Sequence, residues 1–476
     1  MTPIRSKRTK VVCTIGPASR DPETLRAMIR GGMNVARINF AHGTQAEHRG
    51  DIASLRRLAR EEGAVVAVMA DLQGPKIRIG LVDPEPRPLH AGERVVLSAR
   101  AERGAPDEVS FPHPEAIATL KANDRLIIGD GDLQLIVEKP GRDELVCLVS
   151  VAGDLYSRRG VSVPPGTALG APVTPKDKED AAFALDQGVD FLALSFVRRG
   201  QDILELRRLV VDRSERVGIV AKIETRQALE DFPSILDAAD AVMVARGDLG
   251  TEVPVEQVPF HQKEIIRRSN AAGKPVITAT QMLQSMMDHP EPTRAEASDV
   301  ANAVLDGTDA VMLSGETAIG RYPVLAVEML TKIASTVEER MLGSVGRPGL
   351  GDAAHREPIT DAISHATATI ARELGASLIL TSTFSGYTAR QVARERPAQP
   401  IIAFTRDDHT LRQMALSWGV VPFLLPSSPH TDALLAAMIR EVLARGLARK
   451  GDLMVITGAL PQGGGGSTNF LKVERL

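Results

Sequence analysis

Short apolar runs alternate with amphipathic stretches along most of the chain. Each run ends in polar residues or glycine, and most are followed by a stretch with the spacing of an amphipathic helix. Strands that alternate with such helices predict a parallel sheet covered by helices, and a set of eight predicts closure into a (β/α)8 TIM barrel. The predicted strands are Val11–Ile15, Val35–Phe40, Val65–Ala70, Phe191–Ser195, Ile219–Ile223, Ala241–Ala245, Val276–Ala279 and Ala310–Leu313.

The alternation breaks twice, and each break predicts a further domain. Between about Gly74 and Val173 the helical spacing disappears, and short strands separated by glycine and proline turns predict an inserted all-β barrel. From about Gly346 a second series of strands and helices predicts a separate C-terminal α/β domain. The predicted parts are residues 1–74 and 174–345 for the barrel domain, 75–173 for the inserted domain and 346–476 for the C-terminal domain.

The composition argues against a nucleic-acid or membrane partner. The 476 residues carry 57 Lys and Arg against 60 Asp and Glu, and aromatic residues make up 3% of the chain. Such a chain has neither the basic patch nor the stacking platform of a nucleic-acid-binding protein. No apolar run approaches the roughly 20 residues of a membrane span, and the isolated Cys13 and Cys147 predict no disulfide framework. A cytoplasmic protein is expected.

Polar side chains collect at the carboxyl ends of the predicted strands, where barrel enzymes place their catalytic groups. Alternation along a strand puts Arg37 and Asn39 on one face of the second strand, and Lys222 and Glu224 on one face of the fifth. The opposite faces are apolar and suit packing against helices, so the polar faces are predicted to point into the barrel mouth. The remaining polar strand ends are Asp71, Ser195, Gly247, Asp248, Thr280, Ser314 and Glu316.

These residue types suit an anionic substrate that is bound to a metal ion. Glu224 and Asp248 offer the hard oxygen ligands that Mg2+ takes, and they leave coordination positions for substrate oxygens. Lys222 would neutralise the charge on a phosphoryl group during transfer. The glycine residues of Arg246–Gly250 let backbone N–H groups approach a carboxylate closely. For any single residue, a structural ion pair is the alternative interpretation.

Six motifs follow one another along the chain: Arg8–Ser19, Met33–Phe40, Ala221–Glu224, Val244–Gly250, Ala279–Leu283 and Met312–Thr317. Together they closely resemble the motifs of pyruvate kinases, and the resemblance covers nearly the whole chain. It implies transfer of the phosphoryl group of phosphoenolpyruvate to ADP, which gives pyruvate and ATP in the last step of glycolysis. It also implies Mg2+ or Mn2+ as the cofactor and a homotetrameric assembly.

The resemblance also implies roles for the strand-end residues. Lys222 is expected to stabilise the transferring phosphoryl group, and Arg37 is expected to contact the substrate. Glu224 and Asp248 are expected to bind Mg2+, while the backbone at Gly247 and Asp248 holds the carboxylate of phosphoenolpyruvate or pyruvate.

Two further sets of residues take roles from the same resemblance. Thr280 is expected to contact the substrate where the enol carbon is protonated, with Ser314 nearby in a proton relay. The residues expected to face the nucleotide and its phosphates are Asn39, His42, Arg78 and Lys176. The inserted domain is then a lid that closes on the nucleotide and excludes water, with hinges at Gly74–Pro75 and Thr174–Pro175.

The monovalent-cation region departs from many members of that family. Asn39 and Asp71 are kept, but Ala41 and Leu72 replace hydroxyl residues, and Lys76 stands where those members have Glu. The resemblance therefore predicts that K+ is not required, with the ammonium of Lys76 at the vacated position near Asp71.

The C-terminal domain departs from the family at its effector loop, which resembles Thr383–Thr388. Phe384 and Tyr387 occupy positions that are often basic in members regulated by fructose 1,6-bisphosphate, which argues against activation by a sugar bisphosphate. Ser385, Gly386 and Thr388 would still hold one phosphate of a phosphorylated effector.

Two other functions fit parts of this pattern. A metal-dependent pyruvate aldolase also holds Mg2+ with a Glu–Asp pair at a barrel mouth, but it needs neither Lys222 nor a lid domain. An inactive paralogue that senses metabolites would be marked by loss of Lys222, Asp248 or Thr280, and the sequence keeps all three.

Overall fold

The computed structural model describes residues 7–100, 108–129, 131–164, 166–167, 170–213, 216–341, 358–426, 430–459 and 468–476. The first part of the chain forms three strands and two helices. Asp21 begins the first helix by accepting a hydrogen bond from the N–H of Thr24, and Gly32, with φ at +128°, ends it. The elements are β1 (Lys10–Ile15), α1 (Pro22–Gly31), β2 (Val35–Asn39), α2 (Gln45–Glu61) and β3 (Ala67–Asp71).

The inserted segment is built from short strands around a core of its own. Its elements are β4 (Arg87–Leu89), β5 (Arg94–Ser98), β6 (Glu108–Ser110), α3 (Pro114–Ile117), β7 (Arg125–Ile128), β8 (Leu133–Pro140), β9 (Glu144–Val151), β10 (Gly153–Leu155) and β11 (Val161–Ser162). Among the described residues, six strands form a sheet in the order β11-β7-β8-β9-β5-β6, and β10 pairs with β4. The prediction of an all-β inserted domain agrees with this arrangement, in which α3 is the one short helix among the described residues of the segment; that the strands form a barrel stays a prediction.

The chain then returns to the barrel domain. The elements of this part are α4 (Pro175–Asp186), β12 (Phe191–Leu194), α5 (Gly200–Asp212), β13 (Gly218–Ile223), α6 (Arg226–Glu230), α7 (Phe232–Ala238), β14 (Ala241–Ala245), α8 (Arg246–Glu252), α9 (Val258–Ala271), β15 (Val276–Ala279), α10 (Arg294–Leu305), β16 (Ala310–Leu313), α11 (Gly315–Ala318) and α12 (Pro323–Met341). Eight parallel strands close in the order β1-β16-β15-β14-β13-β12-β3-β2. The prediction of a (β/α)8 barrel is confirmed, and all eight predicted strands are present within two residues of their predicted ends.

The two faces of the barrel strands pack as the alternation predicts. Val35 and Val220, which share a face with Arg37 and Lys222, belong to the cluster that fills the barrel interior. Residues of the opposite face, such as Ile223, belong to the larger cluster between the sheet and the helices. The charged residues at the strand ends therefore continue the interior layers and lie at the barrel mouth.

The C-terminal domain is a five-stranded sheet with helices. Its elements are α13 (Pro358–Glu373), β17 (Leu378–Ser382), α14 (Tyr387–Arg394), β18 (Ile401–Thr405), α15 (Asp408–Gln413), β19 (Val420–Leu424), α16 (Thr431–Ala444), β20 (Leu453–Gly458) and β21 (Phe470–Arg475). The strand order is β19-β18-β17-β20-β21, in which β21 alone runs antiparallel to its neighbour. The predicted boundary at 345/346 lies outside the described residues, and the other predicted domain limits stay predictions. Within the described ranges, no helix has the length and apolar character that crossing a membrane would demand.

Candidate active site

Four strand ends bring a network of charged side chains together at the barrel mouth. The Nε of Arg37 lies 2.6 Å from Oδ2 of Asp71. The Nζ of Lys222 lies 3.3 Å from Oδ1 of Asp71 and 3.0 Å from Oε1 of Glu224. Lys222 also donates a hydrogen bond of 2.7 Å to Oγ of Ser195. Residues that lie far apart in the sequence are thus joined in one buried network.

The charges of this network stabilise one another. Burial lowers the pKa of Lys222, but the charges of Asp71 and Glu224 outweigh it, so the pKa of Lys222 is raised overall. Burial raises the pKa of Asp71, but the charges of Lys222 and Arg37 outweigh it and the pKa of Asp71 is lowered. Lys222 therefore stays an ammonium and Asp71 a carboxylate at neutral pH.

Glu224 is the member of the network that lacks enough positive charge. Burial raises the pKa of Glu224, the charge of Lys222 opposes this, and the charge of Asp248 adds to the rise. The second oxygen, Oε2, accepts a hydrogen bond of 2.6 Å from the N–H of Phe196. A divalent cation between the two carboxylates would remove their repulsion, and carboxylate oxygens are the ligands that Mg2+ prefers.

The coordination set also suits Mg2+. In the described parts of the chain, no group of three or more His, Cys, Asp or Glu residues could hold a metal ion. A site with two protein carboxylates leaves most coordination positions to water and substrate oxygens, which is the usual arrangement for Mg2+ at phosphate substrates. Glu224 and Asp248 therefore fit the metal that the sequence predicts.

Thr280 and Gly247 meet beside this network. Thr280 follows β15 with φ at +67°, a strained conformation for a β-branched residue. Its Oγ1 accepts a hydrogen bond of 2.9 Å from the N–H of Gly247. The carbonyl of Thr280 accepts a second one, of 2.7 Å, from NH2 of Arg246. The N–H group that the sequence assigns to a substrate carboxylate is thus engaged by Thr280 in this structure.

Ser314 follows β16. Its N–H donates a hydrogen bond of 2.7 Å to Oε2 of Glu316, whose side chain is fully buried. The Oγ of Ser314 is buried and, within the described residues, makes no hydrogen bond. A buried hydroxyl without a partner in the protein remains available to donate to, or accept from, a bound molecule.

A cleft of about 420 Å3 lies between the inserted domain and the barrel. Lys76 and Arg78 line it from the inserted domain, and Gly247 and Asp248 line it from the barrel. Arg78 is held by a hydrogen bond of 2.9 Å from its NH1 to the carbonyl of Arg158. The structure thus brings Arg78 to the cleft beside a predicted metal ligand.

The other predicted nucleotide contacts lie outside the lining of this cleft. Burial, followed by the charges of Arg78 and Arg37, lowers the pKa of His42. The Oδ1 of Asn39 accepts a hydrogen bond of 3.1 Å from the N–H of Ala41. Lys176 pairs with Asp180 and donates to the carbonyl of Phe40.

The structure pairs Lys76 differently from the prediction. Its Nζ lies 2.5 Å from Oδ1 of Asp248 and 5.3 Å from the centre of the Phe196 ring. The carboxylate of Asp71, beside which the sequence placed this ammonium, is instead paired with Arg37 and Lys222. The placement of Lys76 beside Asp71 is therefore corrected to a contact with Asp248.

Sequence reasoning missed two residues of the site, Thr14 and Phe196, and gave no role to a third, Ser195. Ser195 was found as a strand end without a role, and it donates a hydrogen bond of 2.7 Å to the carbonyl of Leu72. Thr14, which accepts a hydrogen bond of 2.9 Å from Arg37, shares the inward face of β1 with Val12, so alternation could have found it. Phe196 has φ at +54° and no local signal beyond its position just after β12.

Comparisons with known proteins agree with this arrangement. Two family models match, described as "Pyruvate kinase, barrel domain" over residues 6–327 and "Pyruvate kinase, alpha/beta domain" over residues 361–474. A pyruvate kinase of Geobacillus stearothermophilus is 43% identical over 98% of this chain and 80% of its own length. A pyruvate kinase of Mycobacterium intracellulare is 41% identical over 99% of both chains.

A solved structure extends the comparison to three dimensions. The crystal structure of a pyruvate kinase from Cryptosporidium parvum has a TM-score of 0.89 and 33% sequence identity, covering 99% of this chain and 96% of that one. The match includes the barrel, the inserted domain and the C-terminal domain in one arrangement. The chain belongs to the pyruvate kinase family.

Proposed function

We propose that the chain transfers the phosphoryl group of phosphoenolpyruvate to ADP and releases pyruvate and ATP. The observation that carries this proposal is the ammonium of Lys222, held between the buried carboxylates of Asp71 and Glu224 at the barrel mouth. Membership of the family makes the chain a phosphotransferase, and the reaction is the last step of glycolysis. A fixed, buried cation is what a phosphoryl group needs when its charge spreads during transfer.

Each member of the charged network takes a part in the transfer. Lys222 neutralises charge on the moving phosphoryl group, and Arg37 holds the substrate from the opposite side of Asp71. The family generally needs a divalent metal. Glu224 and Asp248 would hold Mg2+ or Mn2+, which when bound supplies charge stabilisation for the substrate oxygens. The backbone of Gly247 and Asp248 would bind the substrate carboxylate once Thr280 yields its hydrogen bond.

Protonation of the enol carbon completes the reaction. Transfer leaves an enolate, and its conversion to the ketone supplies the driving force for ATP formation. Thr280 lies against Gly247, where the carboxylate end of the substrate is proposed to bind. Ser314 has a buried hydroxyl that no described residue engages, and this supports a role in relaying the proton.

The nucleotide is proposed to enter the cleft between the inserted domain and the barrel. Arg78 lines that cleft, and it is the best supported of the predicted nucleotide contacts. Asn39, His42 and Lys176 do not line the cleft in this arrangement, and we propose that movement of the inserted domain brings them to the nucleotide. Such closure would exclude water and protect the phosphoryl group from hydrolysis.

K+ is proposed to be dispensable. In this structure Asp71 already has two cationic partners, Arg37 and Lys222, so no additional ion is needed to balance its charge. We expect full activity in buffer whose only monovalent cation is tetramethylammonium. Stimulation of more than about tenfold on adding K+ would contradict the proposal, since it would correspond to about 1.4 kcal/mol of missing stabilisation.

The assembly, any effector and the cellular location rest on the resemblance to the family. We propose a homotetramer in the cytoplasm, with a phosphorylated effector bound near Ser385, Gly386 and Thr388 of the C-terminal domain. Light scattering gives the oligomeric state, and activity titrations with sugar phosphates and nucleoside monophosphates test the effector.

One assay tests the reaction itself. Pyruvate formation from phosphoenolpyruvate is measured with and without ADP, in the presence of Mg2+. Pyruvate and ATP formed in equal amounts, and only with ADP, support the proposal. A parallel assay supplies a hydroxy-oxo acid in place of phosphoenolpyruvate, and its cleavage to pyruvate without ADP would indicate an aldolase. No turnover of either substrate by the folded protein would indicate an inactive paralogue.

A further inference from the structure

The ammonium of Lys76 is held firmly against Asp248. The Nζ–Oδ1 distance is 2.5 Å, and the ammonium also lies over the Phe196 ring. Lys76 comes from the inserted domain and Asp248 from α8 of the barrel, 172 residues further along the chain. The contact therefore joins the two walls of the cleft at a residue proposed as a metal ligand.

The inserted domain is shaped to receive this lysine. A methyl carbon added at Gly160 would lie 2.6 Å from Cε of Lys76, and the three nearest atoms all belong to that lysine. The backbone of Gly160 is fixed beside it, because the N–H of Val161 donates to the carbonyl of Ile77 at 2.9 Å. Because Gly160 has no side chain, the stem of Lys76 can pass beside its backbone and reach Asp248. We call this space the channel of Lys76.

The same small region touches both proposed metal ligands. Phe196 donates its N–H to Glu224 at 2.6 Å and offers its ring to the ammonium of Lys76. Ser162 forms a hydrogen bond of 2.9 Å with Thr251, whose Oγ1 donates to the carbonyl of Asp248 at 2.7 Å. The lysine therefore sits where a cation shared by the two carboxylates would compete with it.

We propose that Lys76 is an internal cation that occupies Asp248 until a divalent metal ion displaces it. The inference rests on the proposed function, because it takes Glu224 and Asp248 as the metal pair. Asp248 has two oxygens, but an ammonium 2.5 Å from Oδ1 and a metal ion about 2.1 Å from either oxygen would lie within a few ångström of each other and repel. Metal binding is therefore expected to break the ion pair that joins the inserted domain to α8.

The expected size of the effect follows from the exposure of the pair. The side chains of Lys76 and Asp248 are 27% and 34% exposed, so solvent screens their attraction. Partly exposed ion pairs of this kind change an equilibrium by about two- to fivefold. We therefore expect the lysine to weaken metal binding by about that factor in the absence of substrates.

Two variants test the competition in different ways. Lys76→Met removes the ammonium, whereas Gly160→Ala keeps every charge and forces the lysine stem away from its channel. Gly160 does not have a positive φ, and its crowded neighbour is the end of a flexible side chain, so alanine is compatible with the fold. The binding of Mn2+ alone, without substrate or nucleotide, is titrated by the loss of the free-ion electron paramagnetic resonance signal.

The result separates this inference from the proposed function. We expect both variants to bind Mn2+ about two- to fivefold more tightly than the wild type. Wild-type Mn2+ affinity in either folded variant would overturn the inference. If Lys76→Met alone binds Mn2+ more tightly, the effect comes from the charge of the lysine and does not depend on its contact with Asp248. Glu224→Gln serves as the reference for the metal site. If Glu224→Gln binds Mn2+ as the wild type does, the proposed metal site is wrong, and this inference falls with it.

Lys178→Met is the matched control. Lys178 is a half-exposed lysine that pairs with Glu205 at 3.1 Å on the surface of the barrel helices. Its removal changes the net charge by the same amount as Lys76→Met. Its Mn2+ affinity should equal that of the wild type, and an equal gain in both lysine variants would also overturn the inference.

Discussion

Lys222 depends on two carboxylates that come from different strands. Its ammonium lies between Asp71 and Glu224, and both of these side chains are almost completely buried. Asp71 has a second partner in Arg37, whereas Glu224 has no second charged partner among the described residues and accepts a hydrogen bond from the N–H of Phe196. Removing the ammonium of Lys222 would therefore leave Asp71 paired with Arg37 and Glu224 as a buried carboxylate without a charged partner in the described part of the chain.

We expect Lys222→Met to reduce turnover by about a thousandfold, because a preorganised cation at the transferring group is lost. Breaking a buried pair also lowers stability, by roughly 3–5 kcal/mol. Coupled pyruvate formation and thermal unfolding are measured together, with Lys178→Met as the control for an exposed lysine. Turnover within tenfold of the wild type in folded Lys222→Met would show that another group stabilises the phosphoryl transfer.

Glu224→Gln and Asp248→Asn should each raise the Mg2+ concentration needed for half-maximal activity by at least about tenfold. Each change removes one of two carboxylate charges from the proposed site while nearly keeping its shape. Glu205→Gln, which removes a carboxylate paired with Lys178, is the control. Unchanged Mg2+ titrations in both site variants would place the metal elsewhere.

Single residues differ in how far the sequence predicts their positions. The inward direction of Lys222 and Glu224 follows from alternation in a strand whose other face is apolar, so local pattern was sufficient. The partner of Lys76 could not be predicted from the local sequence, because the contact with Asp248 depends on how the inserted domain lies against α8. The positive φ of Phe196 and Thr280 likewise results from the surrounding fold and leaves no mark in the local sequence.

At the scale of elements, the two chain crossings into the inserted domain are tied to one carboxylate. Asp177, in the first turn of α4, is fully buried. Its Oδ1 accepts a hydrogen bond of 3.0 Å from the N–H of Gly74, and its Oδ2 accepts one of 2.9 Å from the N–H of Thr174. The proposed hinges at Gly74–Pro75 and Thr174–Pro175 are therefore joined through the capping box of α4.

Gly74→Ala tests this junction. Gly74 has φ at +68°, and a methyl carbon there would lie 2.7 Å from the carbonyl oxygen of Ser195. We expect a loss of roughly 2–4 kcal/mol in the free energy of unfolding, combining backbone strain with the clash. Gly92→Ala is the matched control, because Gly92 has φ at +87° with open space around it, and strain alone costs about 1 kcal/mol. Equal losses in the two variants would contradict the expected clash.

Elements with strong local patterns were predicted, and those that depend on neighbours were not. The strand predicted at Ala241–Ala245 has the bounds that the structure gives to β14. The antiparallel strand β21 was missed, because its partner is the buried strand β20 while its own residues are half-exposed or exposed. The strand order β11-β7-β8-β9-β5-β6 of the inserted domain was not predicted, since strand pairing cannot be read from local sequence.

At the scale of the whole molecule, the barrel and the C-terminal domain share a junction of buried charges. Arg412, on α15, lies 2.6 Å from Oδ1 of Asp190 beside β12, and Arg56 lies 2.8 Å from the other oxygen. Arg8, which precedes β1, also donates a hydrogen bond of 2.9 Å to the carbonyl of Gln399. The two domains are therefore held by polar contacts that require fixed protonation states.

Lys10 lies at this junction and has a pKa well below that of an ordinary lysine. Its Nζ, on β1, donates a hydrogen bond of 2.7 Å to the carbonyl of Val420 on β19. Burial lowers the pKa of Lys10 from 10.5 to about 8, although the charge of Glu338 opposes the shift. The unfolded chain therefore binds this proton more tightly than the folded protein, and stability must rise with pH between about 8 and 10.5.

We expect Lys10→Met to abolish this rise. Below pH 8 the folded protein carries the full cost of the buried ammonium, and a shift from 10.5 to about 8 corresponds to about 3 kcal/mol. The free energy of unfolding of the wild type, minus that of Lys10→Met, should therefore increase by about 3 kcal/mol from pH 7 to pH 10.5. Urea unfolding at a series of pH values measures this difference, which cancels titrations common to both proteins.

Lys178→Met, which removes a half-exposed lysine from the barrel surface, is the control. A difference that stays constant over this range would mean that Lys10 keeps its ordinary pKa in the folded protein, and that the junction accommodates its charge.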